Sequence, residues 1–220
     1  APSAPVFQSL TSGDRSITAT WTALSIPENG GRPIADYDVQ YKYARANTWT
    51  DHVHAPPATS STTIPGLING VPYVVRVRAV NDVGLEGDWS DPSDITVPGL
   101  VPSTPDVTAT SQDAAVALEW TIPSSTLPIT SQLVQYRKTN PTVQTWIDFT
   151  GLINSNGTTA TATVDGLDNG DAYEFQVIAT NIVGDSEPQD PLVTATPFQS
   201  PGLIDSVEAR NIGTNVYLDW

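Results

Sequence analysis

Asp51-His52-Val53-His54 sets two imidazoles at i and i+2, which face the same way on an extended strand and so have the types and spacing of metal ligands. Zinc needs about three protein ligands in good geometry. Asp51 is the only further candidate nearby, so the segment reads better as a polar loop beside Trp49. These two histidines are the only ones in the chain, and a Ser–His–Asp triad has no independent support. Asp165, Asp168 and Asp171 carry the charge for calcium but lack a loop of about twelve residues with its glycine and closing glutamate. The turn chemistry of Asp168-Asn169-Gly170 explains that segment without an ion. Asn156-Gly157-Thr158 meets the N-glycosylation rule, which matters only in a eukaryotic secretory setting. Cysteine is absent, which removes thiolate metal sites, cysteine nucleophiles and disulfides. The expectation is no catalytic residue, no cofactor and no metal.

The elements that would have to position any site are strands. Trp21, Trp120 and Trp220 stand 99 and 100 residues apart. Each closes the same alternation: Ile17-x-Ala19-x-Trp21, Val116-x-Leu118-x-Trp120 and Val216-x-Leu218-x-Trp220. Every second residue is apolar, so these side chains share one face of a β-strand. The same parity recurs in Tyr37, Val39 and Tyr41, in Tyr73, Val75, Val77 and Ala79, in Val134 and Tyr136, and in Tyr173, Phe175, Val177 and Ala179. Loops rich in Gly, Pro, Asn and Ser separate them, and no amphipathic helix is evident. The expected fold class is all-β, tandem antiparallel sandwiches of immunoglobulin-like type. Proline-marked joints predict units over 1–99 and 100–198, with residues 199–220 as the first two strands of a truncated third. Short proline-rich joints predict limited bending between units. Trp220 then ends a strand whose sandwich is incomplete, an edge rather than a native terminus.

The charge is −15, from 24 acidic and 9 basic residues. It is uneven: residues 1–100 hold 10 acids and 6 bases, whereas residues 101–200 hold 11 and 2. Such a surface repels nucleic acid and anionic membrane. No apolar run approaches the roughly 20 residues that span a bilayer, so membrane insertion is not expected.

The strongest internal match is Gly66-Leu67-Ile68-Asn69-Gly70-Val71-Pro72-Tyr73 against Gly166-Leu167-Asp168-Asn169-Gly170-Asp171-Ala172-Tyr173. Leu enters the core, Asn-Gly turns, and Tyr opens the next strand with its hydroxyl reaching back to upstream backbone. Val39-Gln40-Tyr41 pairs with Val134-Gln135-Tyr136, and Asn81 with Gly84 pairs with Asn181 with Gly184. Together these motifs resemble the fibronectin type III family, in both complete units and in Val207 to Trp220. The resemblance implies sheets A-B-E and C-F-G, and binding, spacing or adhesion rather than catalysis.

Trp89-Ser90-Asp91-Pro92-Ser93 resembles the Trp-Ser box that some fibronectin-type receptor domains carry before their last strand. Arg76 and Arg78 have the outward parity of strand F, and Lys42 lies on neighbouring strand C. A cation–π stack of Trp89 with these arginines would either stiffen one sheet face or present a contact surface made of Lys42, Arg76, Arg78 and Trp89. The second unit offers Glu174 and Gln176 in the matching places and no Trp-Ser box, so the two faces are not interchangeable. No Arg-Gly-Asp occurs; Gly13-Asp14-Arg15 has the wrong order.

The leading expectation is a non-catalytic structural or adhesive segment of a long extracellular or virion-surface protein. The cysteine-free, acidic, Thr- and Ala-rich composition looks bacterial or phage-like, which puts a phage tail tip or tail fibre protein first and a bacterial cell-surface adhesin next. A spacer in a secreted polysaccharide-degrading enzyme is an alternative, and a receptor-like ectodomain is another. Expected partners are proteins or a cell-surface glycan, within a larger chain or assembly.

Overall fold

A computed structural model of the chain describes residues 1–54, 59–140, 144–199, 207–212 and 215–219. The first repeat forms β1 (Phe7–Gly13), β2 (Ser16–Trp21), β3 (Ile34–Tyr43), β4 (Thr50–His52), β5 (Ser61–Pro65) and β6 (Tyr73–Asn81). Its sheets run β1-β2-β5 and β4-β3-β6, all antiparallel. The second repeat forms β7 (Val107–Gln112), β8 (Ala115–Thr121), β9 (Ser131–Lys138), β10 (Ile147–Asp148), β11 (Asn154–Ser155), β12 (Thr159–Asp165), β13 (Tyr173–Thr180) and β14 (Val193–Ala195). Its sheets run β11-β12-β8-β7 and β10-β9-β13-β14. The fold is therefore the expected pair of antiparallel β-sandwiches, with a short edge strand, β4 or β10, added beside strand C. β15 (Glu208–Ile212) and β16 (Asn215–Asp219) pair antiparallel, from Glu208 opposite Asp219 to Ile212 opposite Asn215. Trp220 lies outside the described residues.

Alternation fixes which side chains enter each core. In β2, Ile17, Ala19 and Trp21 are buried while Ser16, Thr18 and Thr20 are not. They meet Tyr37 and Val39 of β3, Ile64 of β5, and Tyr73, Val75, Val77 and Ala79 of β6. The Trp21 ring meets Tyr37 edge-on, with centroids 5.2 Å apart. In the second repeat Val116, Leu118, Trp120, Val134, Phe175 and Val177 are buried at the corresponding places. An aromatic side chain of this size removes about 150–250 Å² from water, worth roughly 4–6 kcal/mol at about 25 cal/mol per Å².

The crossing from β5 to β6 is built as the sequence predicts, with one addition. Leu67 and Leu167 are buried, and Gly70 and Gly170 adopt positive φ of 80° and 88°. Tyr73 Oη accepts a hydrogen bond from the Ile68 amide at 3.2 Å, and Tyr173 Oη accepts one from the Asp168 amide at 3.1 Å. The asparagine does more than turn the chain. Asn69 Oδ1 accepts from the Arg15 amide and Asn69 Nδ2 donates to Asp14 Oδ1, both at 2.7 Å. Asn169 does the same at 2.9 Å with the Ala114 amide and Asp113. It thereby clamps the β1–β2 hairpin at Arg15 (φ 51°) and the β7–β8 hairpin at Ala114 (φ 49°), residues held in a conformation that non-glycine residues seldom adopt.

The expected last strand of the first repeat is irregular. Only Tyr73 and Thr96 form a bridge there. Upstream of it, Ser90 and Ser93 donate their amides to Val77 O and Val75 O, each at 2.8 Å. Their hydroxyls accept from the Val77 and Val75 amides at 3.1 and 3.0 Å, standing where ladder carbonyls would be. Side-chain oxygens thus satisfy the strand backbone through a proline-containing segment that cannot pair regularly.

Replacing Tyr73 by Phe removes the acceptor of the Ile68 amide and should lower the stability of the first repeat by about 1 kcal/mol. Tyr173→Phe should do the same to the second repeat. Urea unfolding followed by tryptophan fluorescence checks both; two variants with unchanged midpoints would mean that the hydroxyls only decorate the corner.

Candidate functional site

The outward residues of β3 and β6 form the most organised polar surface of the first repeat. Register pairs Gln40 with Arg76, Asp38 with Arg78 and Lys42 with Val74. Because Val39, Val75 and Val77 face the core, Lys42, Arg76 and Arg78 project from the opposite side. Two tryptophans slot between them. Lys42 Nζ lies 5.0 Å from the Trp49 ring centroid, and Arg76 Cζ lies 4.4 Å from the same ring. Arg76 Cζ is also 4.4 Å from the Trp89 centroid, and Arg78 Cζ is 4.7 Å from it. The order is Lys42, Trp49, Arg76, Trp89, Arg78. All four residues expected on this face are brought together, and Trp49 joins them.

Each cation in the stack is also hydrogen-bonded. Arg76 Nε and Nη2 donate to Gln40 Oε1 at 2.8 and 2.5 Å, and Gln40 Nε2 donates to Asp51 Oδ1 at 2.6 Å. Arg78 pairs with Asp38 at 2.8 Å and with Glu86 at 2.5 Å. Lys42 Nζ donates to Ala46 O at 2.7 Å. Burial, then repulsion from Arg78, pulls the Arg76 guanidinium below its ordinary pKa, and Asp51 opposes this. Three cations thus face three carboxylates, Asp38, Asp51 and Glu86. What the surface offers is the edges of stacked guanidinium and indole groups rather than net positive charge.

The second repeat keeps one step of this stack. Arg137 Cζ lies 4.3 Å from the Trp146 centroid, and the guanidinium bonds Glu174 at 2.8 and 2.7 Å. Gln176 donates to Gln135 at 2.6 Å, just as Arg76 meets Gln40. That correspondence corrects the sequence pairing by two residues: Gln176 and Ile178 stand where Arg76 and Arg78 do, and Glu174 matches Val74. Sequence reasoning also missed the part played by Trp49 and Trp146. The signal was partial: each follows a strand-C tyrosine and precedes an edge strand, which marks a recurring position but not a place in the stack.

The remaining candidates resolve into structural roles. His54 Nε2 donates to Tyr37 O at 2.7 Å, and His52 Nε2 meets Thr62 Oγ1 at 3.1 Å, linking β4 to β5 on the other sheet. The two rings lie 5.5 Å apart. Among the described residues no group of three or more His, Cys, Asp or Glu could hold a metal ion. The place considered for calcium is filled by Lys138, whose Nζ contacts Asp168 at 2.5 Å and Asp171 at 2.7 Å. Those two carboxylates raise the pKa of the Lys138 ammonium well above its usual value. Gly13-Asp14-Arg15 is the β1–β2 turn. Among the described residues no helix is long and apolar enough to cross a membrane.

Trp49→Ala and Trp89→Ala each remove two stacked contacts and should each cost about 1–2 kcal/mol, against about 0.5–1 kcal/mol for Trp146→Ala, which removes one. A double-mutant cycle should show Trp49 and Trp89 coupled through Arg76. Strict additivity would break the stack into independent contacts. Burial first, and His54 second, lower the pKa of His52, so the folded state prefers it neutral. That contribution is present above the unfolded value of about 6.5 and is lost as pH falls through the lowered folded value. From about pH 7.5 to about pH 5 the parent should therefore lose more stability than His52→Gln; parallel curves would mean that the fold does not hold His52 neutral.

The fibronectin type III domain model matches residues 1–96 and 100–195. Human Myomesin-2 is 31% identical over 182 residues, covering 77% of this chain and 12% of that protein. Human "Cell adhesion molecule-related/down-regulated by oncogenes" is 32% identical over 153 residues, covering 64% of this chain and 12% of that protein. The chain thus spans about 12% of the length of these curated relatives. They are animal proteins, whereas composition pointed to a bacterial or phage source. The chicken interferon gamma receptor alpha chain superposes with a TM-score of 0.54 at 13% identity, covering 90% of this chain and 100% of that one, a likeness of fold. With the family match over both repeats, and the tyrosine corner present in each, the chain belongs to the fibronectin type III family.

Proposed function

We propose that this chain is a contact and spacer segment of a longer, extracellular surface protein, with units over 1–99 and 100–198 and the start of a third over 199–220. The segment is structural or adhesive and performs no catalysis. A protein partner docks on the outward face of β3, β4 and β6, on Lys42, Arg76, Arg78 and Trp89, with Trp49 completing the surface. The observation that carries this is the five-membered stack, present on the first repeat and reduced to one step on the second. Tryptophan and arginine held in fixed orientation lose little conformational freedom on binding and dominate protein interfaces energetically. The balance of three cations with three carboxylates favours a protein over a polyanionic glycan. The relative named for cell adhesion supports a surface role, and the human relatives favour an animal protein. A tail-fibre role rests on composition alone.

A second reading follows from the hydrogen bonds: the stack braces the sheet and binds nothing. Attachment of animal cells to the immobilised chain separates the two. Arg76→Glu with Arg78→Glu should reduce attachment by roughly tenfold or more, as loss of interface anchors does, while Arg137→Glu on the second repeat leaves it intact. Attachment unchanged in a variant that remains folded would leave the brace alone standing.

A further inference from the structure

The chain holds one Asn-x-Ser/Thr sequence in which x is not proline, Asn156-Gly157-Thr158; Asn140-Pro141-Thr142 is excluded by its proline. The structure places Asn156 at the tip of the hairpin joining β11 to β12, exposed together with Gly157 and Thr158. Asn156 makes the turn itself. Its Oδ1 accepts from the Thr158 amide at 2.9 Å, the Thr158 hydroxyl at 2.9 Å and the Thr159 amide at 2.8 Å. Gly157 takes a φ of 89°, and a Cβ built on it would meet nothing within 4 Å. The Nδ2 atom touches only the Thr159 hydroxyl, at 2.9 Å, among its hydrogen-bond partners in the described residues. Asn156 is therefore an exposed residue on a loop that ends a short hairpin, its nitrogen held by one surface hydroxyl and the sequon hydroxyl already bonded to the acceptor amide.

We propose that Asn156 is an N-glycosylation site and that its glycan caps the open edge of β11. The donor is a polyprenyl-pyrophosphate-linked oligosaccharide. Asn156 Nδ2 forms a bond to C1 of the reducing-end N-acetylglucosamine, the bond from C1 to the phosphate oxygen breaks, Nδ2 gives up one proton, and the lipid pyrophosphate leaves. No electron changes hands. β11 is the outermost strand of β11-β12-β8-β7, and Asn154 and Ser155 are both exposed. An uncovered strand edge offers backbone groups to another chain, and a hydrated glycan one residue beyond the strand excludes such pairing. The site rests on the extracellular location proposed above.

The test imposes secretion and so separates the site from the location. The chain is fused to a cleavable secretion leader, expressed in animal cells and weighed. The expected product is heavier by one core oligosaccharide, and an N-glycan-releasing amidase returns it to the bare mass with the asparagine converted to aspartate. Asn156→Gln and Thr158→Ala should abolish the shift, and Thr158→Ser should keep it. A secreted, folded chain of bare mass overturns the site. If the chain from its natural source is bare while the secreted fusion is modified, the acceptor stands and the extracellular reading falls. Enzymatic removal of the glycan should raise self-association at high concentration; deglycosylated protein as monomeric as the glycosylated form overturns the capping role.

Discussion

The chain must pass from one sheet to the other without stranding backbone donors, and everything else in each repeat depends on how that crossing is tied. Leu67 anchors it from inside, the Tyr73 hydroxyl holds its amide, and Asn69 fastens it to the hairpin at the sandwich end. The Tyr73 hydroxyl bond is only part-buried and the Asn69 bonds are exposed, so each contributes about the net worth of an ordinary hydrogen bond while fixing where the crossing lies. Because the crossing sets the register at which Tyr73 enters β6, it also decides which residues of that strand face out. Arg76 and Arg78 point to solvent because Tyr73, Val75 and Val77 point to the core.

The same logic explains why the two repeats share an interior and differ outside. Inward positions are held by packing: Trp21 and Trp120, Val77 and Val177, and Ala79 and Ala179 are all buried. Outward positions answer only to their neighbours on the surface. Arg76 reaches Gln40 in one repeat, and Gln176 reaches Gln135 in the other, so the hydrogen bond survives while the charge does not. Tyr43 of the first repeat corresponds to Lys138 of the second, which instead pairs with Asp168 and Asp171. Lys138 thereby occupies the place between two of the three aspartates weighed as calcium ligands.

Core and corner were legible in the sequence because they obey a period of two and a repeat of about 100 residues, both visible without any contact being known. Arg76 and Arg78 were legible as outward residues by parity, with Lys42 on the neighbouring strand, and Trp89 joined them only through the resemblance of Trp89-Ser90-Asp91-Pro92-Ser93 to a Trp-Ser box. Trp49 was not legible, since it lies before the edge strand β4, and only the return of that strand against β3 carries its ring between Lys42 and Arg76. The irregular last strand was also hidden. Ser90 and Ser93 look like loop residues, and their use as ladder acceptors depends on spacing against Val77 and Val75 that no local pattern shows. The two-residue slip in matching Arg76 to the second repeat arose where parity was right and register was not.

Where the chain places its few cations is the last step. Only 9 of 220 residues are basic against 24 acidic, so a lysine or arginine has carboxylates to meet almost anywhere on the surface. Yet Lys42, Arg76, Arg78, Arg137 and Lys138 all lie on the sheets built from β3 and β6 or from β9 and β13, and each lies over an aromatic ring. Pairing alone does not require a ring, and stacking alone does not require a carboxylate. A ring plus an acceptor (a carboxylate for Arg78, Arg137 and Lys138, the Gln40 amide oxygen for Arg76, the Ala46 carbonyl for Lys42) fixes each long side chain flat against the sheet and lowers its rotamer entropy. The first repeat does this with two tryptophans and three cations, and the second with one indole and one guanidinium plus a lysine beside a tyrosine. Five of the nine basic residues are thus held rigid on these sheets, and the first repeat carries the arrangement furthest.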